Sequence, residues 1–232
     1  MSARKLVRER FGGLELELET LADLDSAVNE LLAREVAHPG ELERDLCPYF
    51  GVVWPAARAL AGELARRGPA LVGRSVLELG CGLALPALVA AHLGARVTAT
   101  DLHPDVPGFL ARNLALNGLA ADALEYVELD WRSAGLAEGP AARRFEYVLG
   151  SDILYEAGHP APVARALAAH VAPGGRILLA DPGRAYLQAC LDELARLGFR
   201  SETEVVAVAD PSLDRAGDTR TREVFLFALA RG

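Results

Sequence analysis

SVLELGCGLALPALVAAHLGARVTATD, residues 75–101, decides the fold. Residues 75–80 are an apolar run short enough for a buried strand. Two glycines one residue apart break it, Leu85 to Leu93 has the length and composition of a helix, and 96–101 is a second apolar strand. Strand, helix and strand in about 27 residues make one βαβ unit, whose strands lie parallel with a right-handed crossover. The same rhythm continues outward: a helix from about Pro104 to Asn117, strands at 123–129 and 145–151, a helix at 160–171, a strand at 176–181 and a helix at about 185–197. Two late strands, 199–208 and 223–230, flank a polar turn at 210–221 with no helix between them, so they form an antiparallel pair at one edge. Upstream, Pro55 suits the first turn of a helix running to about Arg67. Residues 11–18 alternate apolar and acidic as an edge strand does, and Leu24, Val28, Leu31 and Leu32 stripe a helix over 23–36 that HPGE at 38–41 ends. The expectation is an α/β fold: a Rossmann-like, doubly wound, mostly parallel seven-stranded sheet with an antiparallel edge strand. Residues 1–45 form an accessory strand and helix layer, and 46–232 the main domain.

A chain of 232 residues can bury a sizeable core without disulfides or a structural metal, and its 51% apolar content excludes a disordered chain. With 24 basic against 32 acidic side chains the net charge is −8, which argues against a general nucleic-acid binder. Cys47, Cys81 and Cys190 are odd in number and lack CxxC spacing; they suit a reducing compartment and spell no metal site. No secretory apolar segment follows the N-terminus, and Glu9 with the acidic run from Glu15 spoils a transit-peptide reading of Arg4, Lys5, Arg8 and Arg10. The longest apolar stretch, Leu79 to Ala95, holds Gly80, Gly82, Pro86 and His92, and reads as strand, turn and helix rather than a membrane span. A soluble, cytoplasmic globular protein is expected.

In a doubly wound sheet ligands bind beyond the C-terminal strand ends, so those ends carry the candidates. Gly80-Cys81-Gly82 lets the backbone turn tightly and approach a ligand just before a helix N-terminus, although a plain strand–helix turn needs the same residues. The third glycine of the dinucleotide motif is missing. Asp101, 21 positions after Gly80, could accept hydrogen bonds from both hydroxyls of a ribose, or cap the helix that follows. Asp130-Trp131 offers an acid and an indole to an adenine, or a core cap. Asp152 and Tyr155 bring a carboxylate and a phenol to one rim, or serve as cap and packing. The five histidines (His38, His92, His103, His159 and His170) are scattered; His103 lies nearest the strand ends and reads as a surface or cap residue.

ELGCG (78–82), TATD (98–101), DW (130–131) and SDILY (151–155) together resemble the class I, seven-strand S-adenosylmethionine-dependent methyltransferases. The resemblance narrows to methyltransferase family 16, mostly protein-lysine methyltransferases, on Gly51-Val52-Val53-Trp54-Pro55 and Asp152-Ile153-Leu154-Tyr155. Asp181-Pro182-Gly183-Arg184 is similar to the branch that methylates the electron-transfer flavoprotein beta subunit. The resemblance covers about 48–230. It implies that S-adenosylmethionine is the cofactor, with its methionine part at Gly80, Cys81 and Gly82 and its ribose at Asp101. The adenine would meet Asp130 and Trp131, Ser151 would bind through its backbone, and Trp54 would close over the cofactor. Cys81 is a small buried residue here and not a nucleophile.

Methyl transfer from a sulfonium needs positioning, desolvation and a neutral nucleophile, but no metal. A lysine enters near pKa 10.4 and must lose a proton; an apolar channel favours that loss, whereas a carboxylate opposes it. Asp152 is therefore assigned to docking and orienting the amine, Tyr155 to lining the channel, and the proton to water. The partner expected is a protein, gripped by the 210–221 turn and the N-terminal layer; a small-molecule amine is the alternative acceptor. A dinucleotide oxidoreductase and a non-catalytic nucleoside-binding protein are the rivals from other classes.

Overall fold

A computed structural model describes residues 3–37, 46–132, 143–211 and 220–232. The HPGE break and all but the ends of the 210–221 turn lie outside these residues. In chain order the elements are β1 (Arg4–Phe11), β2 (Leu14–Leu21), α1 (Leu24–Ala37), α2 (Pro55–Arg67), β3 (Ser75–Leu79), α3 (Leu85–His92), β4 (Arg96–Asp101) and α4 (Val106–Leu116). They continue with β5 (Leu124–Glu128), β6 (Phe145–Ser151), α5 (Pro160–His170), β7 (Val171–Asp181), α6 (Leu187–Arg196), β8 (Phe199–Ala209) and β9 (Thr221–Arg231).

The seven-stranded sheet runs β5-β4-β3-β6-β7-β9-β8, parallel as far as β7, with β9 antiparallel to both β7 and β8. The chain proceeds outward from β3 to β5, then returns to the other side of β3 as β6. That reversal opens a crevice at the C-terminal ends of β3 and β6, where this fold class holds ligands. Both sheet faces are covered, as its apolar strands require. Leu60 and Leu64 of α2, Leu88 of α3 and Leu110 of α4 pack on one face, and Val163 and Leu167 of α5 with Leu194 of α6 on the other. Among the described residues no helix is long and apolar enough to cross a membrane.

Two expectations are corrected. The strand placed at 11–18 is the middle of a hairpin: β1 ends at Phe11, Gly12 turns the chain at φ +61°, and β2 pairs back antiparallel. The basic opening is thus a strand facing an acidic one, with Arg8 opposite Glu17 and Arg10 opposite Glu15. These exposed ion pairs contribute about 0–1 kcal/mol each and chiefly set register. The strand placed at 176–181 begins five residues earlier, at Val171. Val171 pairs with Phe145, and a register irregularity then absorbs the Ala-Pro-Gly-Gly stretch before Arg176 meets Tyr147.

The hairpin forms its own two-stranded sheet but shares the main core, since Leu16 and Leu18 are fully buried in the cluster that holds α2 and α4. Asn113 of α4 and Asn117, the residue that caps its C-terminus, satisfy the hairpin's free edge. The Glu19 N–H donates to Asn113 Oδ1 (2.8 Å) and the Glu17 N–H to Asn117 Oδ1 (2.9 Å), while Asn117 Nδ2 donates to the Glu17 carbonyl (2.7 Å). Asn113 is wholly buried. Asn113→Ala is therefore expected to cost about 1–3 kcal/mol by stranding the Glu19 N–H. Urea denaturation measures this, and an unchanged midpoint would mean that Asn113 does not hold the hairpin.

Candidate active site

The crevice is built from the Gly80–Gly82 loop upward. Gly80 and Gly82 sit at φ +61° and +51°, conformations that L side chains rarely adopt. Space forbids side chains as well: a Cβ on Gly80 would lie 2.8 Å from Ile153 Cγ2 and 2.9 Å from Trp131 Cζ3, and one on Gly82 3.0 Å from the Phe50 carbonyl oxygen. Glu78, one of the few charged side chains in the buried sheet, secures the loop from beneath. The Ala87 N–H in the first turn of α3 donates to its Oε2 (2.9 Å). Burial pushes the Glu78 carboxyl well above the usual range; the Ala87 N–H opposes this and the Asp101 charge reinforces it.

Asp101 closes the loop from the end of β4. Its Oδ2 accepts the Gly82 N–H and its Oδ1 the His103 N–H, both at 2.9 Å. Each oxygen retains a further lone pair for a ligand. Burial raises its pKa against the pull of those two donors. Asp101 is not the cap of α4, which begins at Val106. His103 takes a capping part instead: its Nδ1 accepts the Asp105 N–H (3.2 Å) while its ring packs on Phe50 at 4.1 Å between centroids. The Asp130 carboxylate is clamped by the backbone N–H and guanidinium of Arg132 (2.8 and 2.9 Å). Burial works upward on Asp130, and the Arg132 hydrogen bonds outweigh it, leaving the carboxyl below its usual range. Burial pushes the Cys81 thiol well up, with Asp101 and Glu78 adding to the effect, so Cys81 is inert as a nucleophile.

At the other end, Asp152 follows β6 at φ +57°, a conformation Asp tolerates better than most residues. Its backbone N–H donates to the Ala180 carbonyl (3.1 Å). Its Oδ2 accepts the Ala56 N–H at the start of α2 (3.1 Å), and Arg184 donates a charge-assisted hydrogen bond to its Oδ1. Burial raises the Asp152 pKa, and the adjacent Arg184 charge works against that rise. Around it runs a row of aromatic edges: Trp54 to Tyr49 (6.3 Å), Tyr49 to Tyr155 (5.7 Å), Tyr155 to His159 (4.6 Å) and His159 to Trp131 (5.6 Å). Trp54 Nε1 donates to the Tyr49 carbonyl (2.8 Å), which fixes the segment entering α2.

All ten residues singled out from the sequence line one cavity of about 370 Å³: Trp54, Gly80, Cys81, Gly82, Asp101, Asp130, Trp131, Ser151, Asp152 and Tyr155. Tyr49 and Phe50, unassigned from the sequence, line it too, as does Arg184, which the sequence offers only as part of the Asp181–Arg184 motif. His159, set aside as one of five scattered histidines, is 1% exposed beneath Tyr155. Two signals were available, the aromatic pair of Cys-Pro-Tyr-Phe just before Trp54 and the single arginine of Asp-Pro-Gly-Arg. A buried histidine has no such mark in a sequence.

The sequence model of a family described as lysine methyltransferase matches residues 47–188, more than half of the chain. That span holds all ten candidate residues, whereas the hairpin and α1 precede it. Among curated relatives, the protein-lysine methyltransferase METTL21E of Bos taurus is 38% identical over 117 residues, covering 48% of this chain and 39% of the relative. The electron transfer flavoprotein beta subunit lysine methyltransferase of Danio rerio is 39% identical over 74 residues, covering 32% and 29%. The alignments thus span less than half the length of these relatives. Among solved structures, the T. Thermophilus 16S rRNA N2 G1207 methyltransferase, in complex with AdoMet and guanosine, superposes with a TM-score of 0.63 at 21% identity. The match covers 100% of this chain and 52% of that one, and at this identity the likeness is one of fold. With the strand order, the crevice at its reversal and the family match over 47–188 in agreement, the chain belongs to the lysine methyltransferase family.

Proposed function

We propose that this chain is an S-adenosylmethionine-dependent N-methyltransferase that modifies a lysine side chain of a protein in the cytoplasm. One observation carries the reading. A single cavity joins a nucleoside-type end, Asp101 beside the Gly80–Gly82 loop, to an aromatic end at Tyr49, Trp54 and Tyr155. The residues fit the cofactor. The glycine loop brings bare main chain to the cavity through turns that L side chains rarely adopt, and Asp101 keeps lone pairs for two ribose hydroxyls. Trp131 supplies a flat apolar face for the adenine with Asp130 beside it, and Ser151 lies where β6 meets the cavity.

S-adenosylmethionine, when bound, supplies a methyl group on a sulfonium, and the remaining work is positioning. Tyr49, Trp54 and Tyr155 exclude water around an alkyl chain and favour a neutral amine over its ammonium. Asp152 orients the nitrogen through a lone pair left by its two existing partners. The amine proton leaves through water. Tyr49 is 38% exposed, which supports an acceptor reaching in from outside, as a lysine on a protein surface does.

The test is incubation of the pure protein with methyl-labelled S-adenosylmethionine and a cell extract split into protein and metabolite fractions. Label recovered as methyl-lysine in the protein fraction is the expected result. Label confined to the metabolites would establish the small-molecule acceptor instead, and no label in either fraction would favour a non-catalytic binding protein.

A further inference from the structure

The carboxylate that should orient the acceptor already has a cation beside it. Arg184 donates to Asp152 Oδ1 from the loop between β7 and α6, and both side chains line the cavity. The loop is shaped for this contact. Asp181, wholly buried at the end of β7, accepts the backbone N–H groups of Gly183 (2.8 Å) and Arg184 (2.7 Å), and its second oxygen lies 3.8 Å from the Arg184 guanidinium. Gly183, at φ +86°, makes the turn that brings Arg184 over the strand ends. Asp181 does not line the cavity, so the loop carries one charged group into it, and that group is a cation.

We infer that Arg184 is the positioning residue that decides the charge state of the acceptor: it fills the seat at Asp152 that an ammonium would take, so the site receives an uncharged nitrogen. The inference rests on the methyltransferase reading and deepens it. A lone carboxylate would hold a lysine in its protonated, unreactive form. Paired with Arg184, Asp152 keeps a lone pair that can accept an amine N–H while its charge is cancelled. An entering ammonium is repelled by the guanidinium; a neutral amine is not. Among the described residues, Asp181 is a second carboxylate 3.8 Å from the same guanidinium, but it stands outside the cavity and burial works against its charge. Arg222, whose charge reaches Asp152, is itself paired with the buried Asp210 (2.7 Å), and Glu156 is half exposed. Arginine suits the place because its planar fork matches the geometry of a carboxylate.

The test uses the full chain saturated with S-adenosylhomocysteine, each variant's own affinity being measured first. n-Butylammonium, which matches the end of a lysine side chain, is then titrated at pH 8 and followed by NMR. Arg184→Gln, which uncovers the Asp152 charge, is expected to bind this cation at least tenfold more tightly than the wild type. Arg184→Lys, which keeps the charge, should stay near the wild type, and Asp152→Asn combined with Arg184→Gln should lose the gain. Equal butylammonium affinity in wild type and Arg184→Gln would overturn the inference, as would a gain that survives in the double variant. Failure of the wild type to bind S-adenosylhomocysteine is a separate result that removes the methyltransferase reading itself.

Discussion

Replacing Asp101 with Ala is expected to weaken S-adenosylhomocysteine binding at least about 100-fold, the largest effect of any single change in the site. Hydrogen bonds to a charged group contribute about 1.5–3 kcal/mol each, and in the proposed complex this carboxylate would accept one from each of two ribose hydroxyls. The loop suffers in addition, because the Gly82 and His103 N–H groups both lose their acceptor. Asp101→Asn should fall between the two, since its single carbonyl oxygen can serve only part of this set. Calorimetric titration measures it, with NADH as the control ligand. Unchanged affinity in Asp101→Ala would remove the ribose assignment, and NADH binding in the wild type would revive the dinucleotide reading.

The second large effect is expected at Asp152. Asp152→Asn keeps an oxygen for the Ala56 N–H and a residue type that tolerates positive φ, so the start of α2 should hold. What it loses is the nearer of the two carboxylates beside Arg184, so the guanidinium opposes the positive charge that develops on the nitrogen during transfer. Methyl transfer to the protein fraction should drop about 100-fold, equivalent to about 2.7 kcal/mol in the barrier. S-adenosylhomocysteine affinity should change only a few-fold, because Asp101 and the glycine loop stand at the other end of the cavity. Asp152→Ala adds a structural loss, as it strands the Ala56 N–H and takes the nearer carboxylate from an Arg184 side chain that is only 27% exposed. If Asp152→Asn retains full turnover, the carboxylate is a brace for α2 and nothing more.

The two effects separate cleanly because the residues stand at different strand ends on opposite sides of β3. Asp101 ends β4 and Asp152 follows β6, with β3 and its glycine loop between them. One end is expected to govern cofactor affinity, the other turnover.

Much of this is legible in the sequence. The strands at 96–101 and 145–151 match the sequence reading residue for residue, and α2 begins at its proline as expected. Their signals are local: an apolar run has a length, and a proline or glycine has a fixed conformational preference. The N-terminal hairpin was misread for the opposite reason. Residues 11–18 alternate whether they form one strand or span a turn, and the opposing charges that set the register lie on both sides of it. In β7 the Ala-Pro-Gly-Gly stretch reads locally as a turn, yet Val171 finds a partner in Phe145.

The sequence by itself determined the βαβ core, the chemistry at each strand end and the spacing that aligns Gly80 with Asp101, because each rests on a residue's own backbone preference or functional group. Only the tertiary structure decided what those groups face. Arg184 lies 32 positions from Asp152, His159 is buried under Tyr155, and Phe50 backs the glycine loop through its main chain. Such contacts depend on where separate elements meet, and no local preference encodes them. The ion pair beside the aromatic row joins the Asp152 carboxylate of one loop to the Arg184 guanidinium of another, so it exists only once the sheet has brought the two loops together.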